Sequence, residues 1–312
     1  MCETMRFCRV AVQTAATIAV LTLVVFPGGG CGGTKKAPLT IAQRLERARG
    51  QKTPELQSRE LVRVARMQLK AGDRKGAAKT LSEARGLIPK DADAMLVAPR
   101  TLEVAALFAE MGEKPTARGV LDEVVTLAGT VTDPLGRTIL LAEAGGIFGS
   151  GPAGVGDAAK ARTTLADAAA VADTVDARFR SQALAAVALG YAEAGLIAEA
   201  NAMVETLETS ARAVEEPRPR AEALAAAANV RGRGGDAAAA QGLLTEAAEA
   251  AAGIEGSENR AYALLAVAKA TAAAGNADGA AKLLAKADEA ARKVPDPEAQ
   301  RTAREKIVAA KK

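Results

Sequence analysis

Three segments of this chain repeat one another at an interval of forty residues. RSQALAAVALGYAEAG begins at Arg180, RAEALAAAANVRGRGG at Arg220 and RAYALLAVAKATAAAG at Arg260, and each closes on a glycine at the same offset (Gly195, Gly235, Gly275). A second apolar pattern of helical period follows each one, with Val204, Leu244 and Leu284 again forty residues apart. A fixed period of roughly 20–50 residues marks supersecondary units that stack on their neighbours instead of folding around one shared core.

Setting the remaining sequence in this register gives six units. In their first segments Leu61, Thr101, Leu141, Leu184, Leu224 and Leu264 fall on one helical face, each followed four residues on by a small residue: Ala65, Ala105, Gly145, Ala188, Ala228 or Ala268. In the second segments Leu81, Leu121, Leu165, Val204, Leu244 and Leu284 occupy the matching place. Alanine dominates, aromatic residues make up only 2% of the chain, and no alternating β-branched run is long enough for a strand. Such a composition favours helices that approach closely, because alanine loses no rotamer entropy and adds little bulk. First helices are expected to begin at the three arginines, and second helices to run on to Val131, Val175, Val214, Ile254 and Val294.

This spacing resembles the tetratricopeptide repeat: large residues pointing inward, a small residue admitting the paired helix, an aromatic position, then an alanine nine residues later that seats the second helix. The period is forty residues instead of 34, the leading tryptophan is absent, and only the first unit keeps a proline, Pro89, at its end. The resemblance implies an all-α, right-handed superhelical solenoid of about six helix-turn-helix units over residues 57–299. Helical caps would cover residues 39–56 and 300–312, since repeat arrays must shield their end faces from water. It also implies a protein-binding scaffold rather than an enzyme, with the partner unspecified.

The amino terminus sets an expectation of place. An uncharged apolar run spans residues 10–26 and follows Arg6 and Arg9, as in a secretory signal. Gly28, Gly29 and Gly30 then precede Cys31, a pattern that resembles the bacterial lipobox, although glycine stands at 28 where that motif usually has leucine. The resemblance implies a signal peptide over 1–30, lipidation of Cys31 and a flexible tether over 31–38. Two acyl chains suffice for stable membrane anchoring where one is marginal. An uncleaved signal anchor and ordinary secretion are the alternatives. The expected location is the cell envelope, lipid-anchored and facing the periplasm or the exterior. Cys2 and Cys8 lie within the leader, so no disulfide pair remains after it.

The absence of histidine removes several chemistries at once. Ser-His-Asp and Cys-His nucleophile systems, Cys/His zinc sites and His-ligated haem all need it. Paired carboxylates such as Glu246/Glu249 and Asp288/Glu289 read as a solvated helix face. Gly149-Ser150-Gly151-Pro152-Ala153-Gly154 matches a dinucleotide fingerprint only in letters, because a helix and not a strand precedes it. It reads instead as an insertion in the third unit's turn. No cofactor and no nucleic-acid partner are expected, since five aromatics outside the leader make a poor base-stacking platform.

Three features are candidates for binding. Phe108, Phe148 and Tyr191 share one position in successive units, with Arg231 next in register. They either fill the packing between repeats or form an aromatic strip at a groove edge that takes a helix or peptide. Arg180, Arg220 and Arg260 form salt bridges or loop caps between repeats, or else a rim for acidic partners. Arg59, Arg63, Arg66 and Lys70 share one helix face within a region, Lys35 to Lys79, that carries 13 Lys/Arg against 4 Asp/Glu. That face is either solvated or turned toward an anionic membrane surface. The function read from these features is a membrane-anchored lipoprotein scaffold that binds a protein partner in the bacterial envelope. The alternative is a binding module for a small or polymeric envelope ligand such as a peptide or cell-wall fragment.

Overall fold

A computed structural model describes residues 39–89, 92–149 and 154–311, and its compact helical unit is Thr40–Lys312. The leader, Cys31 and the tether at 31–38 lie outside the described residues, as do residues 150–153 of the glycine-rich turn. Among the described residues the chain is helical, without strands. The helices are α1 (Ile41–Arg49), α2 (Pro54–Lys70), α3 (Arg74–Gly86), α4 (Ala94–Glu110), α5 (Lys114–Thr130), α6 (Pro134–Phe148) and α7 (Ala158–Ala172). They continue with α8 (Ala177–Glu193), α9 (Ile197–Arg212), α10 (Pro217–Arg233), α11 (Ala237–Ala252), α12 (Ser257–Ala273), α13 (Ala277–Arg292) and α14 (Pro297–Ala310). Helices α2 to α13 form six pairs, each first helix packing on its own second helix, and α6, α8, α10 and α12 pack successively on one another. The result is a tetratricopeptide-like α-solenoid with α1 and α14 at its two ends.

The turn inside each pair rests on one backbone requirement. Gly72, Gly112, Gly156, Gly195, Gly235 and Gly275 all have φ between 78° and 88°, a left-handed conformation that costs a residue with a side chain about 1 kcal/mol or more. The residue after the glycine then donates its backbone N–H back into the first helix. Asp73 reaches the Gln68 carbonyl at 2.9 Å, Asp236 that of Arg231 at 3.0 Å and Asn276 that of Thr271 at 3.1 Å. The side chains of these same residues accept from the first turn of the next helix: Asp73 from Gly76 N–H, Asp236 from Ala239 N–H and Asn276 from Gly279 N–H. One residue therefore ends a helix and starts its neighbour.

The turn between pairs differs from the sequence expectation. Second helices stop at Thr130, Ala172, Arg212, Ala252 and Arg292, short of the valines and isoleucine expected to end them. Val131, Val175, Ile254 and Val294 are instead buried plugs just beyond the helices. First helices begin three residues before Arg180, Arg220 and Arg260. The physical reason is an accounting of carbonyls: the end of a helix leaves acceptors exposed, and in four of these turns the fourth residue of the following helix supplies a donor. Gln57 Nε2 donates to the carbonyls of Arg49 (3.1 Å) and Gln51 (2.8 Å). Arg180 Nη2 donates to Asp173 O at 2.6 Å and Arg260 Nε to Ile254 O at 2.5 Å. Gln300 Nε2 donates to Arg292 O at 2.8 Å and Val294 O at 3.3 Å. Loop capping is thus the role of Arg180 and Arg260.

The core is a continuous ribbon of small and branched side chains. Leu81, Leu121 and Leu165 are fully buried, and so are Ala105, Gly145 and Ala188 or nearly so. Stacking is tightest where α8 crosses α6. A Cβ placed on Gly190 would lie 2.6 Å from the Ala142 carbonyl oxygen and 2.7 Å from Leu165 Cδ2, and one on Gly145 would lie 2.5 Å from Leu165 Cγ. By contrast, α2 and α3 touch α4 lightly, and a cavity of about 790 Å³ lined by Ile88, Val97, Phe108 and Leu127 opens there.

Stability should respond to both kinds of contact. Gly190→Ala should lower unfolding free energy in urea by about 1–3 kcal/mol, because overpacking against backbone outweighs the gain in helix propensity. Arg260→Met, which keeps the aliphatic stem and removes the donor, should cost about 1 kcal/mol in the same measurement.

Candidate functional site

The outward face of the first helices carries the candidate site, and it is built from positions 6, 10, 13 and 17 of each helix. These positions lie on the side opposite the packed Leu/Ala face. In α4, α6 and α8 they present Pro99, Glu103 and Ala106, then Glu143 and Gly146, then Gln182, Ala186, Leu189 and Glu193. All of these but the buried Gly146, together with Leu102, Ala142, Ile147, Ala185 and Gly190, line a trough of about 570 Å³. Its floor, at the close α6–α8 crossing, is formed by Ala142, Ala185, Ala186 and Gly190. The Pro99 ring adds an apolar patch to the wall that α4 contributes.

Two carboxylates converge in this trough. Glu193 lies across α6 where there is no side chain to block it: a Cβ on Gly146 would sit 3.1 Å from Glu193 Oε2 and 3.3 Å from its Cβ. Glu143 is one turn earlier on the same face of α6. Both residues are exposed, so the trough walls displace only part of their water. Desolvation raises the Glu143 carboxyl above the usual carboxylate range, and the neighbouring Glu193 charge raises it further. Desolvation likewise raises Glu193, with Arg233 on α10 offsetting part of the effect. Glu103, at the trough's edge, is bridged by Arg66 of α2 at 2.8 Å.

The basic residues selected from the sequence belong to this same face. Arg59, Arg63, Arg66 and Lys70 are exposed and occupy on α2 the positions that Pro99, Glu103, Ala106 and Glu110 occupy on α4. Arg66 spends its charge on Glu103, and Arg63 pairs with Glu60 at 2.6 Å. The basic face is thus half neutralised and continues the row that leads into the trough.

The aromatic strip is corrected by burial. Phe108, Phe148 and Tyr191 are 3%, 0% and 7% exposed and belong to the core ribbon, because their position points between the paired helices instead of outward. Burial raises the Tyr191 hydroxyl above its ordinary value. Arg231, next in register, turns inward too and pairs with Glu208 of α9 at 2.7 Å. The aromatics that do reach the surface are two that the register did not single out. Phe179 is 40% exposed with Arg178 stacked 4.5 Å from its ring centre, and Tyr262 lies between Arg218 (5.2 Å) and Lys306 (4.9 Å).

Glu143, Glu193, Ile147 and Leu189 escape a reading of the sequence. The signal that could have found them was apolar residues on a first-helix face that is otherwise polar. The acidic pairs that the sequence did offer are structural. Glu246 accepts two bonds from Arg212 at 2.9 Å, Asp288 pairs with Arg292 and Arg304, and Glu289 pairs with Lys293. Among the described residues, no group of three or more Cys, Asp or Glu side chains is placed to hold a metal ion. No helix among them is long and apolar enough to cross a membrane.

Opposite signs of carboxylate shift give a pH test. A carboxylate raised in the folded state weighs against stability above its folded pKa, and that penalty vanishes below its unfolded pKa. Glu143→Gln/Glu193→Gln should therefore raise the thermal midpoint at neutral pH, with the gain disappearing as pH falls below the ordinary carboxylate range. Glu83→Gln should do the reverse at neutral pH, because the hydrogen bond from Arg49 holds that carboxyl low. Its stabilisation is present above the unfolded carboxylate pKa and is lost on acidification through the folded one.

No protein-family model matches this chain, and no curated protein matches it. Among solved structures, Ton1535 from Thermococcus onnurineus NA1 is 12% identical, over 84% of this chain and 94% of that one, with a TM-score of 0.41. Rap protein, in a complex with competence and sporulation factor, is 13% identical over 86% and 78% at a TM-score of 0.39. A putative kinesin light chain from Podosopora anserina, with nearly identical TPR-like repeats, is 17% identical over 78% and 98% at 0.33.

Proposed function

We propose that this chain is a non-catalytic docking scaffold, tethered to an envelope membrane through a lipidated Cys31, and that its trough across α4, α6 and α8 receives a protein partner. The observation that carries the reading is the trough itself: apolar walls and a pair of carboxylates on the face of a stack whose other large apolar side chains are mostly buried. Apolar side chains such as Ile147 and Leu189 are only partly covered by the core they pack against, and the part left open suits a segment laid across them. The tether rests on the leader sequence and its resemblance to a lipobox. Arg59 and Lys70, the two not engaged by Glu60 or Glu103, would add attraction to an anionic leaflet of about 1 kcal/mol each where they come within a Debye length.

Ala186 stands half-buried in the trough floor, so Ala186→Trp fills the space without disturbing the core behind it. Proteins captured from envelope membranes by the full chain should be lost with Ala186→Trp while helical circular dichroism stays the same. Retention of every captured protein would move the docking site elsewhere, and capture of peptidoglycan fragments in place of proteins would favour an envelope-ligand module. Cys31→Ser should shift the protein from the membrane to the soluble fraction; continued membrane association would indicate an uncleaved signal anchor.

A further inference from the structure

We infer that the segment accepted by the trough carries a lysine or arginine flanked by apolar residues, whose cationic head sits between Glu143 and Glu193. This rests on the docking reading above and names the chemistry of the partner. Three observations converge. First, Glu193 lies across Gly146, one turn from Glu143 on α6, so two negative charges from different repeats line one open trough. Second, two other carboxylates of this face are answered by cations: Glu103 by Arg66 at 2.8 Å and Glu222 by Arg218 at 2.9 Å. Neither Glu143 nor Glu193 has a cation within ion-pair distance among the described residues, and Arg233 acts on Glu193 only from farther away. Third, the surface around them is apolar, formed by Leu102, Ile147 and Leu189.

These features call for one kind of side chain. A cation placed between two partly desolvated carboxylates relieves both their mutual repulsion and their lost hydration. Lysine and arginine carry that cation on an aliphatic stem, which covers apolar walls while the head reaches the charge. Neighbouring apolar residues on the incoming segment then fill the rest of the trough. A neutral or acidic segment leaves the carboxylates desolvated and unanswered, so the trough discriminates against it.

The test is a random dodecapeptide library displayed on phage and panned on the immobilised full chain, with Ala186→Trp as counter-selection. Peptides that bind the chain and not Ala186→Trp should place Lys or Arg beside Leu, Ile, Val or Phe. Synthetic versions should bind Glu143→Gln/Glu193→Gln at least about tenfold more weakly, and their affinity for that variant should depend less on salt. Matching helical circular dichroism shows that both variants are folded, and Glu193→Gln alone should give an intermediate loss. Trough-dependent peptides without a preference for cations, or unchanged affinity for the double variant, would overturn the cationic partner and leave the docking reading standing. If the library yields no peptide that Ala186→Trp excludes, both fall.

Discussion

Helices in this array come close only where alanine or glycine faces them, and the stack depends on that steric condition. A first helix must meet its own second helix and the first helices on either side, so three neighbours compete for space along its inner face. Alanine at Ala105, Ala188, Ala228 and Ala268 and glycine at Gly145 resolve the competition by removing bulk. Leucines on the facing helices then fill the remaining volume at near-crystalline density. Where the condition is met most fully, between α6 and α8, the outer side of the contact carries the trough. The trough is therefore a by-product of the same small residues that make the stack cohere.

Stacking many short helices also multiplies helix ends, each with carbonyls and N–H groups that the helix cannot satisfy. Two devices recur along the chain to answer them. Within a pair, the left-handed glycine and the residue after it close one helix and open the next. Between pairs, a buried valine or isoleucine folds under the chain while Gln57, Arg180, Arg260 or Gln300 donates to the exposed carbonyls. Glutamine serves next to the terminal helices α1 and α14, and arginine in the interior units. The constant element is a long side chain ending in N–H donors.

Charge is distributed differently on the two sides. Across the second helices, Arg85 pairs with Glu123, Arg162 with Glu199 and Arg212 with Glu246, each bridging one repeat to the next, and Arg49 of the end helix α1 pairs with Glu83 of the first repeat. Singly such exposed pairs contribute little, yet as a series they oppose slippage of one repeat against another. On the first-helix side the charges are less completely matched. A surface that neutralises itself has little left to offer a partner, whereas one with Glu143 and Glu193 held close and unpaired retains a preference for what approaches it.

The period of forty, the alanine-rich faces and the glycine at each internal turn were legible in the chain as written, because they are local: helical spacing and a positive φ are properties of neighbouring residues. Leu61, Leu81 and their counterparts could be assigned to the core for the same reason. The aromatic column at Phe108, Phe148 and Tyr191 was visible as a column, but its burial was not, since periodicity locates a face without stating which of three neighbouring helices covers it. The plugs at Val131 and Val175 were mistaken for helix, because an apolar residue at helical spacing looks the same whether it ends a helix or lies just past it. Glu143 and Glu193 are fifty residues apart, and nothing in the sequence links them. Only the crossing of α6 and α8 over Gly146 brings them together, since proximity between separate helices is set by packing and not by spacing along the chain.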